Sequence, residues 1–101
     1  MAKQRNVYGE IDSMTDLREV FLDIRKDVDQ AESRPALTEL HRRAGYLITL
    51  SHAPSWEEKF GKDISKIRSV AEEEFGKTAR KINSQAEEIG TEANYDESWG
   101  S

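Results

Sequence analysis

Residues 57–71 read EEKFGKDISKIRSVA, and residues 72–86 read EEEFGKTARKINSQA. Nine of these fifteen positions are identical, in phase and without a gap. A fifteen-residue period suits a long, regular α-helix with a repeating apolar seam. The seam runs through Trp56, Phe60, Ile64, Ile67, Ala71, Phe75, Ala79, Ile82, Ala86 and Ile89. Fifteen residues over four turns is about 3.75 per turn, so the seam runs straight or drifts right-handed, unlike a heptad coil. The spacing predicts a helix over 56–89, roughly 50 Å long at 1.5 Å per residue. A seam of this length needs a surface to pack on. The chain therefore reads as a packing and binding device, not as an enzyme.

Gly61 and Gly76 each follow the repeated Phe, and each weakens a helix interior by about 1 kcal/mol relative to Ala. At Gly76 the chain either continues as helix to Gly90, which would supply the C′ residue, or breaks so that 77–89 fold back as a fourth helix. Continuation is favoured, because the apolar steps cross Gly76 without a change of phase. Pro54 ends the preceding helix, and Ser55 with Glu58 reads as a capping box for the long one. Glu58–Lys62 and Glu73–Lys77 add one i,i+4 pair per repeat, worth ~0.3 kcal/mol each.

Upstream, Ser13 caps a helix over about 14–31, with Asp16 as its capping partner. Met14, Leu17, Phe21, Ile24, Val28 and Ala31 form a heptad seam that Val20 widens. Ser33 or Arg34 then caps a second helix over 35–52, with Pro35 in its first turn. Leu37, Leu40, Ala44, Leu47 and Ile48 make its stripe, and Ala36, Tyr46, Leu50 and Ala53 extend apolar character around a second side. So short a connection makes the first two helices an antiparallel hairpin. The expected fold is all-α: a helical hairpin plus a long C-terminal helix. That is a three-helix bundle, or four helices if Gly76 breaks. One domain would span 13–90, between an arm at 1–12 and a tail at 91–101.

Those lengths carry a consequence. The hairpin is about half as long as the 50 Å helix, so Phe75, Ala79, Ile82, Ala86 and Ile89 would overhang into water. A second copy of the chain would cover them, which predicts a symmetric homodimer with coiled-coil-like pairing.

Composition agrees with a bundle: 35% of the 101 residues are charged and 36% hydrophobic. The chain has no cysteine, which removes disulfides and thiolate metal sites. No apolar run is long enough for a membrane span or a signal-peptide core, so a cytoplasmic protein is expected. The net charge of −5 equals that of residues 87–101, which hold five acids and no Lys or Arg. The body is close to neutral, unlike a strongly basic nucleic-acid domain.

Candidate partner-binding residues follow from exposure expected on the long helix and in the tail: Trp56, Phe60, Phe75, Ile82, Ile89, Tyr95 and Trp99. For Trp56 and Phe60 the plainer role is to plug the bundle end. Tyr95 and Trp99 stand four apart among Glu92, Asp96 and Glu97. Such an acidic aromatic stretch reads as a short motif for a basic, apolar groove, or as a segment that folds back. Lys59, Lys62, Lys66, Lys77, Arg80 and Lys81 give the long helix a basic side that would suit phosphate. Its plainer role is to match the acidic face of the first helix. His41 and His52 are packed or capping residues at most, because no metal-ligand motif surrounds them. No nucleophile stands beside a base, and no Gly-rich phosphate loop follows a strand. No catalytic residue, metal or cofactor is assigned. The expected function is a non-enzymatic protein-interaction module. The alternative is a nucleic-acid-associated accessory protein.

Overall fold

Four α-helices follow one another from Met14 to Ala93, and the last of them is the axis on which the others pack. The computed structural model of the chain describes residues 11–93, with side chains through Ile89. The arm's first ten residues and the tail from residue 94 lie outside the described residues. Helix α1 spans Met14–Gln30, α2 Arg34–Ser51, α3 Pro54–Phe60 and α4 Ile64–Ala93, with a 3-10 turn at Gly61–Asp63. This is the all-α bundle that the spacing predicts: a hairpin plus a long C-terminal helical stretch.

Local chemistry accounts for the helix starts. The Ser13 hydroxyl accepts from the Asp16 N–H at 3.1 Å, and the Asp16 carboxylate accepts from the Asp12 N–H at 2.9 Å. Ser33 does the same for α2, accepting from the Ala36 N–H at 3.3 Å, with Pro35 in the first turn. The box expected at Ser55 does not form. The short helix begins one residue earlier at Pro54, and its N-cap is Ala53, with no side-chain bond.

The seam of α1 is as read: Leu17, Phe21, Ile24, Val28 and Ala31 are buried, and Met14 and Val20 lie half-buried beside them. Leu37, Leu40, Ala44 and Leu47 line α2, while Tyr46, assigned to its apolar side, is exposed. Ile11 belongs to the core at 1% exposure and Asp12 pairs with Lys59, so these two residues, assigned to the arm, belong to the bundle.

The largest difference from the expected architecture lies at Gly61. The long helix does not run unbroken from Trp56. Gly61 adopts φ 56° and ψ −127°, open to glycine and strained for L side chains. The chain turns there, so α3 closes one end of the bundle and buries Trp56, and α4 starts level with the hairpin. Gly76 stays helical, and α4 passes Gly90 as well, ending at Ala93. Because the rod starts eight residues later than 56, most of the predicted overhang disappears. Ile82 is buried and Phe75 is half-buried within one chain. Gln85 still donates to the Ala31 carbonyl at 3.0 Å. Ala86 and Ile89 also pack half-buried against the core, so α4 stays with the hairpin through Ile89 before it ends at Ala93.

Gly45 and Gly76 both sit in helix interiors with ordinary geometry. A Cβ at Gly45 meets nothing within 4 Å, and one at Gly76 meets only the tip of Arg80 at 3.7 Å. Gly45→Ala and Gly76→Ala should each raise stability by about 0.5–1 kcal/mol in urea unfolding. A loss at Gly76 would mean that the helix is not continuous there.

Candidate interaction surface

The buried face of α4 differs from the apolar repeat that announces it. Ile67, Val70, Ala71 and Ile82 are buried, but between them so are Glu74 and Thr78. Glu74 is 4% exposed and Thr78 fully buried. Phe75 and Ala79, expected on the seam, lie at its half-buried flank. Arg25 of α1 answers the buried acid: its Nη1 stands 2.8 Å from Glu74 Oε1 and 3.2 Å from Thr78 Oγ1. The Thr78 hydroxyl donates to the Glu74 carbonyl at 2.9 Å. Lys77 at 3.5 Å and Arg18 at 4.0 Å face the second carboxylate oxygen from the rim. A buried carboxylate is tolerable only with such partners.

The sequence reading missed this node, although one signal marked it. Glu74 and Thr78 are among the positions where the two repeat copies diverge, with Lys59 and Asp63 in the first. Divergence inside a near-duplication marks positions whose surroundings are not equivalent. Arg68, opposite Asn83 in the second copy, is another. Its Nε donates to the Ser51 carbonyl at 2.7 Å, and its Nη2 to Glu57 Oε2 at 2.8 Å. One guanidinium thus ties the end of α2 to α3 and α4. Arg68→Ala should lower stability by about 1–3 kcal/mol, and Arg68→Lys should not restore it, because an ammonium cannot span both acceptors in that planar geometry. Thermal denaturation of the three proteins checks this.

The proposed partner-binding residues scatter. Trp56 is a core residue at 5% exposure, set edge-on to Phe60 with centroids 5.3 Å apart. It fills the bundle end because Gly61 turns α3 inward. Ile82 is also core, not surface. Phe60 is half-buried under the Lys59 ammonium, 5.6 Å from the ring centre. Phe75 is half-buried with its ring 5.5 Å from that of His41, in an edge arrangement. Ile89 is half-buried near the end of the hairpin, lining an open cleft of ≈ 550 Å³ with Asp29, Ala31, Glu32, Gln85 and Glu88. Tyr95 and Trp99 lie outside the described residues.

The basic side of the third helical stretch is partly spent on acids of this same chain. Lys59 pairs with Asp12 at 2.8 Å, Lys81 with Asp29 at 2.8 Å, and Lys77 with Glu74, not with Glu73. Lys62, Lys66 and Arg80 point outward. Arg43 adds a 3.7 Å contact to Asp27, and Arg42 pairs with Glu39 along α2. Exposed pairs of this kind contribute little stability, about 0–1 kcal/mol each. Their effect is to lower the positive potential of the face.

Beside Tyr46, one aliphatic side chain stands out from this charged exterior. Leu22 of α1 is 44% exposed. It lines a shallow cleft of ≈ 210 Å³ with Thr15, Arg18, Glu19, Arg25 and Glu74. The Ser51 hydroxyl, which precedes His52, is buried and bonded to the Ile48 carbonyl at 2.6 Å. Among the described residues, no helix is long and apolar enough to cross a membrane, and no group of three His, Asp or Glu could hold a metal ion. Comparison with protein-family models, with curated proteins and with solved structures finds no match.

Proposed function

We propose that the chain is a non-enzymatic protein-interaction module, an adaptor, assembly factor or regulator that works in the cytoplasm. The observation that carries this reading is the half-covered apolar end of α4, Ala86 and Ile89, on a helix that runs on to Ala93. These two residues sit at the edge of the bundle, and beyond Ala93 the sequence reads as the acidic aromatic segment with Tyr95 and Trp99. A rigid helix ending in a charged aromatic motif suits docking into a basic, apolar groove on another protein. One form of this reading is a regulator whose acidic tail occupies the basic site of a nucleic-acid enzyme. A second copy of the chain is also a partner in this reading, since Ala86 and Ile89 are only half-covered by their own hairpin.

A chain ending at Ala93 should keep the melting temperature of the full protein and lose the partner that the full protein retains from its host. Trp99→Ala should do the same with less disturbance. A large drop in melting temperature on truncation would instead place the tail on its own bundle and remove the motif. The alternative, a nucleic-acid accessory protein, draws support from Lys62, Lys66 and Arg80, which remain outward. It requires retardation of generic DNA or RNA at low salt, where phosphate-driven binding is strongest.

A further inference from the structure

The sequence Phe-Gly-Lys occurs twice in the repeat and takes two conformations. At Phe75-Gly76-Lys77 it is uninterrupted helix, and at Phe60-Gly61-Lys62 it is a sharp turn. Local preference therefore does not dictate the turn, because the twin segment is helical. Tertiary contacts hold it: the burial of Trp56, the Lys59–Asp12 pair, and the Arg68 fork on Ser51 and Glu57. Gly61 is the described glycine with a positive φ.

We propose that Gly61 is the hinge of a reciprocal exchange between two copies of the chain. Each copy packs its α1–α2–α3 unit on the other's α4, and residues 54–93 become one continuous helix. The proposal is independent of the tail-docking reading above.

Chain geometry makes the straight hinge incompatible with a single-copy bundle in the native register. In a continuous helix Pro54 would lie fourteen residues, roughly 21 Å, from the level of Arg68. Ser51 now sits on Arg68, and the three residues from Ser51 to Pro54 reach at most about 11 Å. Straightening at Gly61 must therefore pull the hairpin off its native seat on its own α4, and a seat shifted by one repeat loses the Arg25–Glu74–Thr78 node. The surface that matches the released hairpin is the α4 of a second copy. There the Arg25–Glu74–Thr78 node, the Lys81–Asp29 pair and the Arg68 fork all re-form between copies. Each core would then be completed by the other copy's Trp56. The two states share every packing contact and differ at the hinge and in the entropy of association.

The test uses the full chain with Asp29→Cys and Lys81→Cys, a close pair in a protein with no native cysteine. A short bis-maleimide links this pair within one chain in the bundle, and between chains after exchange. Refolding at low concentration should give 11.5 kDa and intrachain links. Refolding at millimolar concentration should give a slowly interconverting species of twice that mass with interchain links and undiminished helicity. Gly61→Ala penalises the turn and favours the helix in each of two hinges, so it should raise the dimerisation constant on the order of 10³-fold. D-alanine at position 61 should hold the chain monomeric, and Gly76→Ala should leave the mass unchanged. The proposal is overturned if Gly61→Ala stays at 11.5 kDa, or if any dimer carries only intrachain links. Should Gly61→Ala not fold, the absence of interchain links after concentrated refolding of the Gly61 protein overturns it equally.

Discussion

Arg25→Met should lower the stability of the bundle by about 3–4 kcal/mol, and adding Glu74→Leu should restore most of that loss. The single change leaves the Glu74 carboxylate, 4% exposed, without its closest donor. Breaking a buried pair from one side costs about 3–5 kcal/mol, whereas replacing both partners by packed apolar groups is often neutral or stabilising. Lys77 and Arg18, half-exposed at the rim, can move toward the orphaned acid, which places the expected loss in the lower part of that range. Urea midpoints with an unchanged m-value measure the effect. A double variant as weak as Arg25→Met would show that the pair matters for its shape and not for its charge.

The same pair answers a problem that the duplication creates. A helix carrying two similar seams can slide by one repeat and offer the hairpin nearly the same apolar face. In that register Arg25 would meet Lys59 and Asp63 in place of Glu74 and Thr78. Lys59 would repel Arg25 and Asp63 would attract it, so the preference for the native register rests on the buried Glu74 pair, which the shifted register lacks. The double variant should therefore regain stability yet show additional or broadened amide resonances from a second register. A single sharp set would remove the register role and leave the stability argument intact.

Trp56→Ala is the other large effect. The side chain is 5% exposed and plugs the bundle end, so truncation should cost about 3–5 kcal/mol. For a domain whose whole stability is about 5–15 kcal/mol, that loss is enough to populate unfolded chain at physiological temperature. Trp56→Phe should retain more than half of the difference, because Phe60 still has an aromatic edge to meet. A loss below about 1 kcal/mol for Trp56→Ala would mean that α3 does not close the core.

The helices of the hairpin were legible because their seams are simple. Leu17, Phe21, Ile24 and Val28 repeat at heptad spacing, and Ser13 and Ser33 announce the two starts. Continuity through Gly76 was legible for the same reason, since the apolar steps keep phase there. The turn at Gly61 was not, because the segment around it is nearly the one around Gly76. Only the tertiary demand of Trp56, Asp12 and Arg68 distinguishes them. The overhang of Phe75 and Ile82 was overestimated for the same reason: they look stranded only when the rod is started eight residues too early. At the candidate site, nothing near Glu74 in the sequence marks it as buried, since an acid among lysines is usually solvated. Its burial depends on Arg25, forty-nine positions earlier in the chain. Partner surfaces were hardest to place, as exposure belongs to the packed molecule and not to the pattern. Trp56 went inside, while Leu22, unremarked among charges, stayed out.

Backbone NMR of the 11.5 kDa species at its two repeat glycines tests the bent-rod bundle most directly. Helical Cα shifts and i to i+3 NOEs should pass through Gly76 and stop at Gly61, with the Trp56 ring in contact with core methyl groups. Unbroken helical shifts from Trp56 through Gly76 in a particle of that mass would contradict it.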